Sequence, residues 1–207
     1  MPIYLFSLYA QQGVRYMDEN RPAIHTFMER SAMLFRESAR SLKDTRTLTI
    51  AGMLLALQVA LRFIASIDVT EYIRVSFSFL ASAVTGALLG PFVSMLTDAM
   101  SDVLKGMAST GPFFPGYTLT AALSGMTYGL CLYKRDIKLR HIITARLIVC
   151  ALTLGLNTLW LSLTIGQPFM FLLAGRAVKT LCQFPVDIIL MLPFITRVRQ
   201  VFLSFKR

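Results

Sequence analysis

Six apolar segments follow one another through this 207-residue chain, at 47–67, 75–89, 91–107, 116–133, 142–165 and 169–195. Their lengths decide which solvent they suit. A helix needs about twenty apolar residues to cross the hydrocarbon layer of a bilayer, and fewer where neighbours shield it or the bilayer thins. Only 75–89 is markedly short. Composition agrees, because 55% of the residues are hydrophobic and 15% charged, too few polar groups to cover a soluble domain of this size. The expected fold is an all-α integral membrane protein with six transmembrane helices.

The formal charge of +10 raises nucleic acid as a partner, but no basic stripe with stacking aromatics stands apart from the helix ends. No nucleic-acid partner is expected. Arg15, Arg21, Arg30, Arg36, Arg40, Lys43 and Arg46 precede the first segment. Lys134, Arg135, Lys138 and Arg140 crowd the connection between the fourth and fifth, and Arg197, Arg199, Lys206 and Arg207 end the chain. With six spans all three clusters fall on one side, which the positive-inside rule makes cytoplasmic, so both termini are expected there. The outer side keeps Arg62, Arg74, Lys105, Arg176 and Lys179, and three loops at 66–74, 105–114 and 164–170. Cys131, Cys150 and Cys182 are isolated in apolar sequence, with no spacing for a metal site or a disulfide framework.

Residues 1–46 differ from the rest and are set apart as a cytoplasmic or membrane-surface arm, leaving 47–207 as the membrane domain. The opening MPIYLFSLYA has neither a basic region before it nor a small-residue cleavage site after it, unlike a signal peptide. From Asn20 to Leu42, Phe27, Leu34, Phe35 and Leu42 take one side and the basic residues the others, as in an amphipathic helix on the inner membrane surface. A translation start at Met28 or Met33 is the alternative for this arm.

Small residues mark two helix faces. Gly52, Ala56 and Ala60 recur every four residues in the first segment, and Ala121, Gly125 and Gly129 do so in the fourth. Such faces let backbones approach closely in lipid. They serve internal packing or the docking of another membrane protein.

Ionisable residues inside spans need a partner, a cavity or a ligand. Arg176, Lys179, Gln183 and Asp187 fall on one stripe of the sixth segment, at offsets of 0, 3, 7 and 11, covering about 16 Å at 1.5 Å per residue. A guanidinium beside an ammonium suits a carboxylate or phosphate. Pairing with Asp98 and Asp102, which share a face of the third segment, is the structural alternative. Those carboxylates can equally accept hydrogen bonds from the amino groups of a heterocycle. Nearby, Phe113, Phe114 and Tyr117 surround Pro115 and Gly116. They read either as an interfacial aromatic belt or as stacking surfaces for a flat ligand. Gly111, Pro112, Pro115 and Gly116 set a defined turn, and Thr118 or Thr120 caps the next helix or donates to a ligand.

Catalysis leaves little trace. HExxH, GxSxG, P-loop and Cys/His metal patterns are all missing from the sequence, and His25 and His141 have no partner pattern. Neither an enzyme nor a bound cofactor is expected, and any ATP-driven step must draw on another subunit.

Several runs carry a family resemblance: Val75-Ser76-Phe77-Ser78-Phe79-Leu80, the turn from Gly86 to Pro91, Phe113-Phe114-Pro115-Gly116-Tyr117-Thr118-Leu119, and Tyr128-Gly129-Leu130 through Tyr133-Lys134. Together they resemble the folate-specific S component, the substrate-binding subunit, of energy-coupling factor (ECF) vitamin transporters. The similarity runs from about residue 47 to the end, and the arm lies outside it.

The resemblance implies a multi-pass protein of the bacterial cell (plasma) membrane that binds folate from outside. It would deliver the vitamin inward with a transmembrane coupling subunit and two ECF ATPases. Ala56 and Ala60 match the docking motif of S components, and the outer loops around Ser66 to Arg74 and Ser109 to Tyr117 match those that close over the vitamin. In this reading the pterin stacks among Phe77, Phe114 and Tyr117 within the mouth built from Phe113, Pro115, Gly116 and Thr118. Asp98 or Asp102 supplies polar contacts, Arg74, Arg176 and Lys179 meet the glutamate carboxylates, and Gln183 shares their stripe. An S component for riboflavin or thiamine keeps the same fold. A membrane enzyme or structural subunit is the alternative of a different class.

Overall fold

In a computed structural model the described residues are 27–64, 66–70, 73–108, 114–134 and 139–205. Seven helices and one hairpin occur among them: α1 (Phe27–Ser41), α2 (Thr45–Ile64), β1 (Ser66–Thr70), β2 (Ile73–Ser76), α3 (Ser78–Leu89), α4 (Pro91–Met107), α5 (Pro115–Leu132), α6 (Leu139–Ile165) and α7 (Phe169–Phe205). The main compact unit is Leu34–Arg207, and Met1–Met33 form another. That main unit therefore opens inside the stretch set apart as an arm.

Each apolar segment becomes one helix, with ends that local chemistry explains. Asp44 starts α2 by accepting the N–H of Arg46 at 3.2 Å, a side-chain cap. Pro91 and Pro115 begin α4 and α5, where the missing N–H of proline would have no helical partner anyway. Helix α7 continues beyond the expected end at 195 to Phe205. Its two arms, Phe169–Leu181 and Gln183–Val198, meet at 43°. Pro185 lies just beyond the break, where it deletes one helical hydrogen bond and crowds the preceding turn.

The expected outer loop at 66–74 is instead largely a hairpin. Strands β1 and β2 pair antiparallel, with Ile67 opposite Val75 and an irregularity between Asp68 and Thr70. The β-branched residues of both strands favour this conformation.

Helices α2 and α6 are long and apolar enough to cross a membrane, and the two arms of α7 taken together make a third. Met53, Leu163, Phe171 and Leu181 point outward, as suits helices solvated by lipid. Helix α3 has twelve residues, or about 18 Å of length, and most of it is buried among its neighbours.

The centre is packed by Val84 of α3, Tyr128 of α5, Ile142 of α6, and Met191 and Ile195 of α7. The small face of α5 serves this packing. A Cβ at Gly129 would lie 2.3 Å from Pro91 Cα, and one at Gly125 would lie 2.6 Å from the Ser94 carbonyl oxygen. On α2 the small face is open: Ala56 is exposed, and a Cβ at Gly52 would meet nothing within 4 Å.

Ser38 of α1 ties down the tight α3–α4 turn. Its Oγ donates to the Leu89 carbonyl at 2.8 Å and accepts the Val93 N–H at 3.2 Å. Gly90, the N-cap of α4, offers no side chain for capping, so a serine from another helix takes that role. Gly90 is required here twice over: its φ is +89°, and a Cβ would come within 2.9 Å of Ser38.

Candidate functional site

A cavity of about 240 Å³ opens between the helices. One wall is built from α2, α3 and α4. Gln58 is a polar residue within the apolar middle of α2 yet is buried, because its amide donates to Asp98 Oδ1 at 2.8 Å. Ser82 of α3 donates to the other oxygen of the same carboxylate. Asp98 is thus held from two helices in a buried position, where an unpartnered carboxylate would be strongly disfavoured. Gly125 of α5 leaves it room, since a Cβ there would sit 2.7 Å from Asp98 Oδ2.

Helices α6 and α7 supply further lining through Arg146, Lys179 and Gln183. Arg146 donates through Nε to Asp187 Oδ2 at 2.9 Å, through Nη2 to the same oxygen, and through Nη1 to the Tyr128 hydroxyl at 2.9 Å. The Phe79 ring lies 4.6 Å from the guanidinium carbon, within cation–π range. Gln183 donates to the second oxygen of Asp187 at 3.2 Å. The buried ion pair is therefore surrounded by hydrogen bonds, the arrangement that offsets desolvation best. The cavity is lined by Asp98, Asp102 and Lys105 on α4 and by Arg146, Lys179 and Gln183 on α6 and α7, so acceptors and cations share one site.

At the start of α5 the aromatic turn forms a separate cluster. Phe114 packs edge-on against Tyr117 at 6.2 Å between ring centroids and lies 5.5 Å from Trp160 of α6. Gly116 permits that contact, because a Cβ would be 2.5 Å from both the Phe114 and Trp160 rings. Trp160 Nε1 donates to Thr120 Oγ1 at 3.1 Å. Thr118 donates to Asp102 Oδ2 at 2.9 Å, joining the first turn of α5 to the cavity wall. The N-cap of α5 is Phe114, without a side-chain cap bond, so neither threonine caps the helix.

Of the residues singled out from the sequence, Asp98, Asp102, Lys179 and Gln183 line one cavity. Phe114, Pro115, Gly116, Tyr117 and Thr118 gather at the aromatic turn, and Phe77 immediately precedes α3. Arg176 donates to the Asn157 carbonyl at 3.2 Å, and Asp187 pairs with Arg146. Arg74 belongs to β2. Phe113 lies outside the described residues, as do Gly111, Pro112, Arg135 and Lys138.

Sequence reasoning passed over Gln58, Phe79, Ser82, Tyr128, Arg146 and Trp160. A signal existed for two of them. Arg146 is an ionisable residue inside an apolar segment, and Gln58 is one of two polar interruptions in the first. No group of three or more His, Cys, Asp or Glu positioned to hold a metal occurs among the described residues.

Comparison with known proteins bears on these features. The pattern of the family described as ECF transporter, substrate-specific component, matches residues 46–195. A protein from Clostridium novyi named Folate transporter FolT is 30% identical over 150 residues, covering 72% of this chain and 87% of that protein. One of the same name from Leuconostoc mesenteroides subsp. mesenteroides is 30% identical over 154 residues, covering 70% of this chain and 82% of its own. A solved structure described as FolT bound with folic acid superposes with a TM-score of 0.67 at 30% identity, covering 71% of this chain and 90% of the other.

Proposed function

Because this chain belongs to the substrate-specific component family of ECF transporters, we propose that it captures folate outside the cell and delivers it inward as the S component of such a transporter. The observation that carries this reading is the single cavity lined both by Asp98 and Asp102 and by the cations Lys105, Arg146 and Lys179. Folate joins a heterocycle rich in N–H donors to two carboxylates, so it needs acceptors and cations within one site. The similarity to folate transporters and to a folic acid-bound structure favours this vitamin over others.

In this reading the pterin ring occupies the cavity beside Asp98 and Asp102, with Phe77, Phe113, Phe114 and Tyr117 as stacking surfaces and Pro115, Gly116 and Thr118 shaping the mouth. Arg74, Arg176 and Lys179 receive the glutamate carboxylates, and Gln183 adds a polar contact. ATP hydrolysis falls to two separate ECF ATPases acting through a transmembrane coupling subunit. That subunit docks on the face of Ala56 and Ala60, a reading supported by the exposure of Ala56 and the open space at Gly52. The chain crosses the bacterial cell membrane six times with both termini in the cytoplasm, and 1–46 act as an arm beside the 47–207 binding domain. The basic clusters at 134–140 and 197–207 support that orientation.

A binding panel with purified protein tests the vitamin. Folate is expected to bind saturably and to be recovered chemically unchanged, while riboflavin and thiamine do not compete. Tight binding of riboflavin or thiamine instead would reassign the vitamin. Recovery of a converted product would point to an enzyme.

A further inference from the structure

We propose that the second half of α1, residues 34–41, is a strap that holds the docking helix α2 against the bundle, with Ser38 as its positioning residue; this rests on the docking reading above. The family pattern begins at residue 46, so α1 lies outside it. Yet the main compact unit takes in everything from Leu34 onward. The contacts fall within little more than one turn of α1. Leu34 and Ser38 are buried, Phe35 meets the Phe92 ring edge-on at 5.4 Å between centroids, and Glu37 pairs with Lys134 just past the end of α5.

The turn that α1 grips is shared with α2. Leu89 ends α3 and Val93 lies in the first turn of α4, positions whose backbone groups lack partners within their own helices. Ser38 serves both through one hydroxyl. Leu89 and Val93 also form a buried cluster with Ala51 of α2, and Leu42 of the α1–α2 connection packs against it. The same turn is therefore fastened by α1 and packed by α2, and residues 42–44 alone join those two helices.

Helix α2 is seated at two points of one stripe. Ala51 and Gln58, at i and i+7, are both buried, the first against the turn and the second on Asp98. Gly52 and Ala56 lie between them in sequence, and both are exposed with α1 in place. The strap leaves the open stripe uncovered while fixing the backbone that carries it. Packing on small residues depends on backbones coming into contact, so it tolerates little displacement. The cavity has its own tie to α2 through Gln58, Asp98 and Ser82. Loosening the strap then bears on docking and not on folate.

The test measures two affinities on the same detergent-solubilised proteins, for folate and for the purified coupling subunit with its ATPases. Each is taken well below the thermal unfolding midpoint of the variant. Ser38→Ala should weaken docking about fivefold or more, the order of one hydrogen bond, and leave folate affinity within about twofold of wild type. Lys134→Glu sets a second carboxylate beside Glu37 and should weaken docking as well. Adding Glu37→Lys reverses the pair and should restore docking, a rescue that a general loss of stability does not give. Both side chains are about half exposed, so this pair decides the matter if Ser38→Ala does not fold. Docking at wild-type strength in Ser38→Ala or in Lys134→Glu would overturn the proposal. So would folate affinity falling together with docking, or a loss in Lys134→Glu that the double variant keeps. Ala56→Trp is measured alongside. If it docks as wild type does, the docking reading fails and takes the strap with it; loss in Ala56→Trp beside unchanged docking in Ser38→Ala refutes the strap alone.

Discussion

Asp98 is bonded to Gln58 and Ser82 before any ligand arrives, and its place depends on a hydrogen atom at position 125. A methyl there would lie 2.6 Å from the Ser94 carbonyl oxygen and 2.7 Å from Asp98 Oδ2. The first of these is backbone that cannot easily retreat, so the carboxylate must shift as well. Gly125→Ala is expected to weaken folate binding by about tenfold or more, the order of losing one hydrogen bond to a charged group. An isotherm for Gly125→Ala that overlays wild type would mean that Asp98 does not contact the ligand. At this scale the sequence was only partly legible. Asp98 and Asp102 stood out because carboxylates in an apolar segment need a reason. Arg146 was passed over although the same rule applied to it, and no periodicity links it to Asp187, 41 positions away.

Helices were far easier to read than their contacts. Lipid as solvent forces long apolar runs, and the backbone must satisfy itself within them, so segment and helix limits agree within a few residues except at the end of α7, which runs ten residues further. The hairpin at β1 and β2 was missed because it is too short for a clear alternation. The Ser38 cap was missed because it joins positions 51 and 55 residues apart. Helix faces were ambiguous in the same way. The stripes of α2 and α5 look alike in sequence, and only packing separates the open one from the closed one. The open stripe leads to a prediction at this scale. Ala56→Trp fills the proposed docking surface without touching the cavity wall. It should abolish copurification with the coupling subunit while leaving folate affinity within about twofold of wild type. Loss of both would mean that this face packs internally.

For the molecule as a whole, the proposed function puts capture and energy supply on different chains. A cavity lined by carboxylates on α4 and by cations on α4, α6 and α7 gives this protein the means to hold a ligand with both donors and anionic groups. The proposed transport cycle adds a partner on α2, the helix whose Gln58 donates to Asp98 in the cavity wall. The most direct test of the central claim is titration of radiolabelled folate on detergent-solubilised wild type beside Arg176→Ala and Lys179→Ala. Wild type should saturate at about one folate per protein, and losing one charge-assisted contact should weaken binding about ten- to a hundredfold. Wild type without saturable binding, or both variants binding as wild type does, would contradict it.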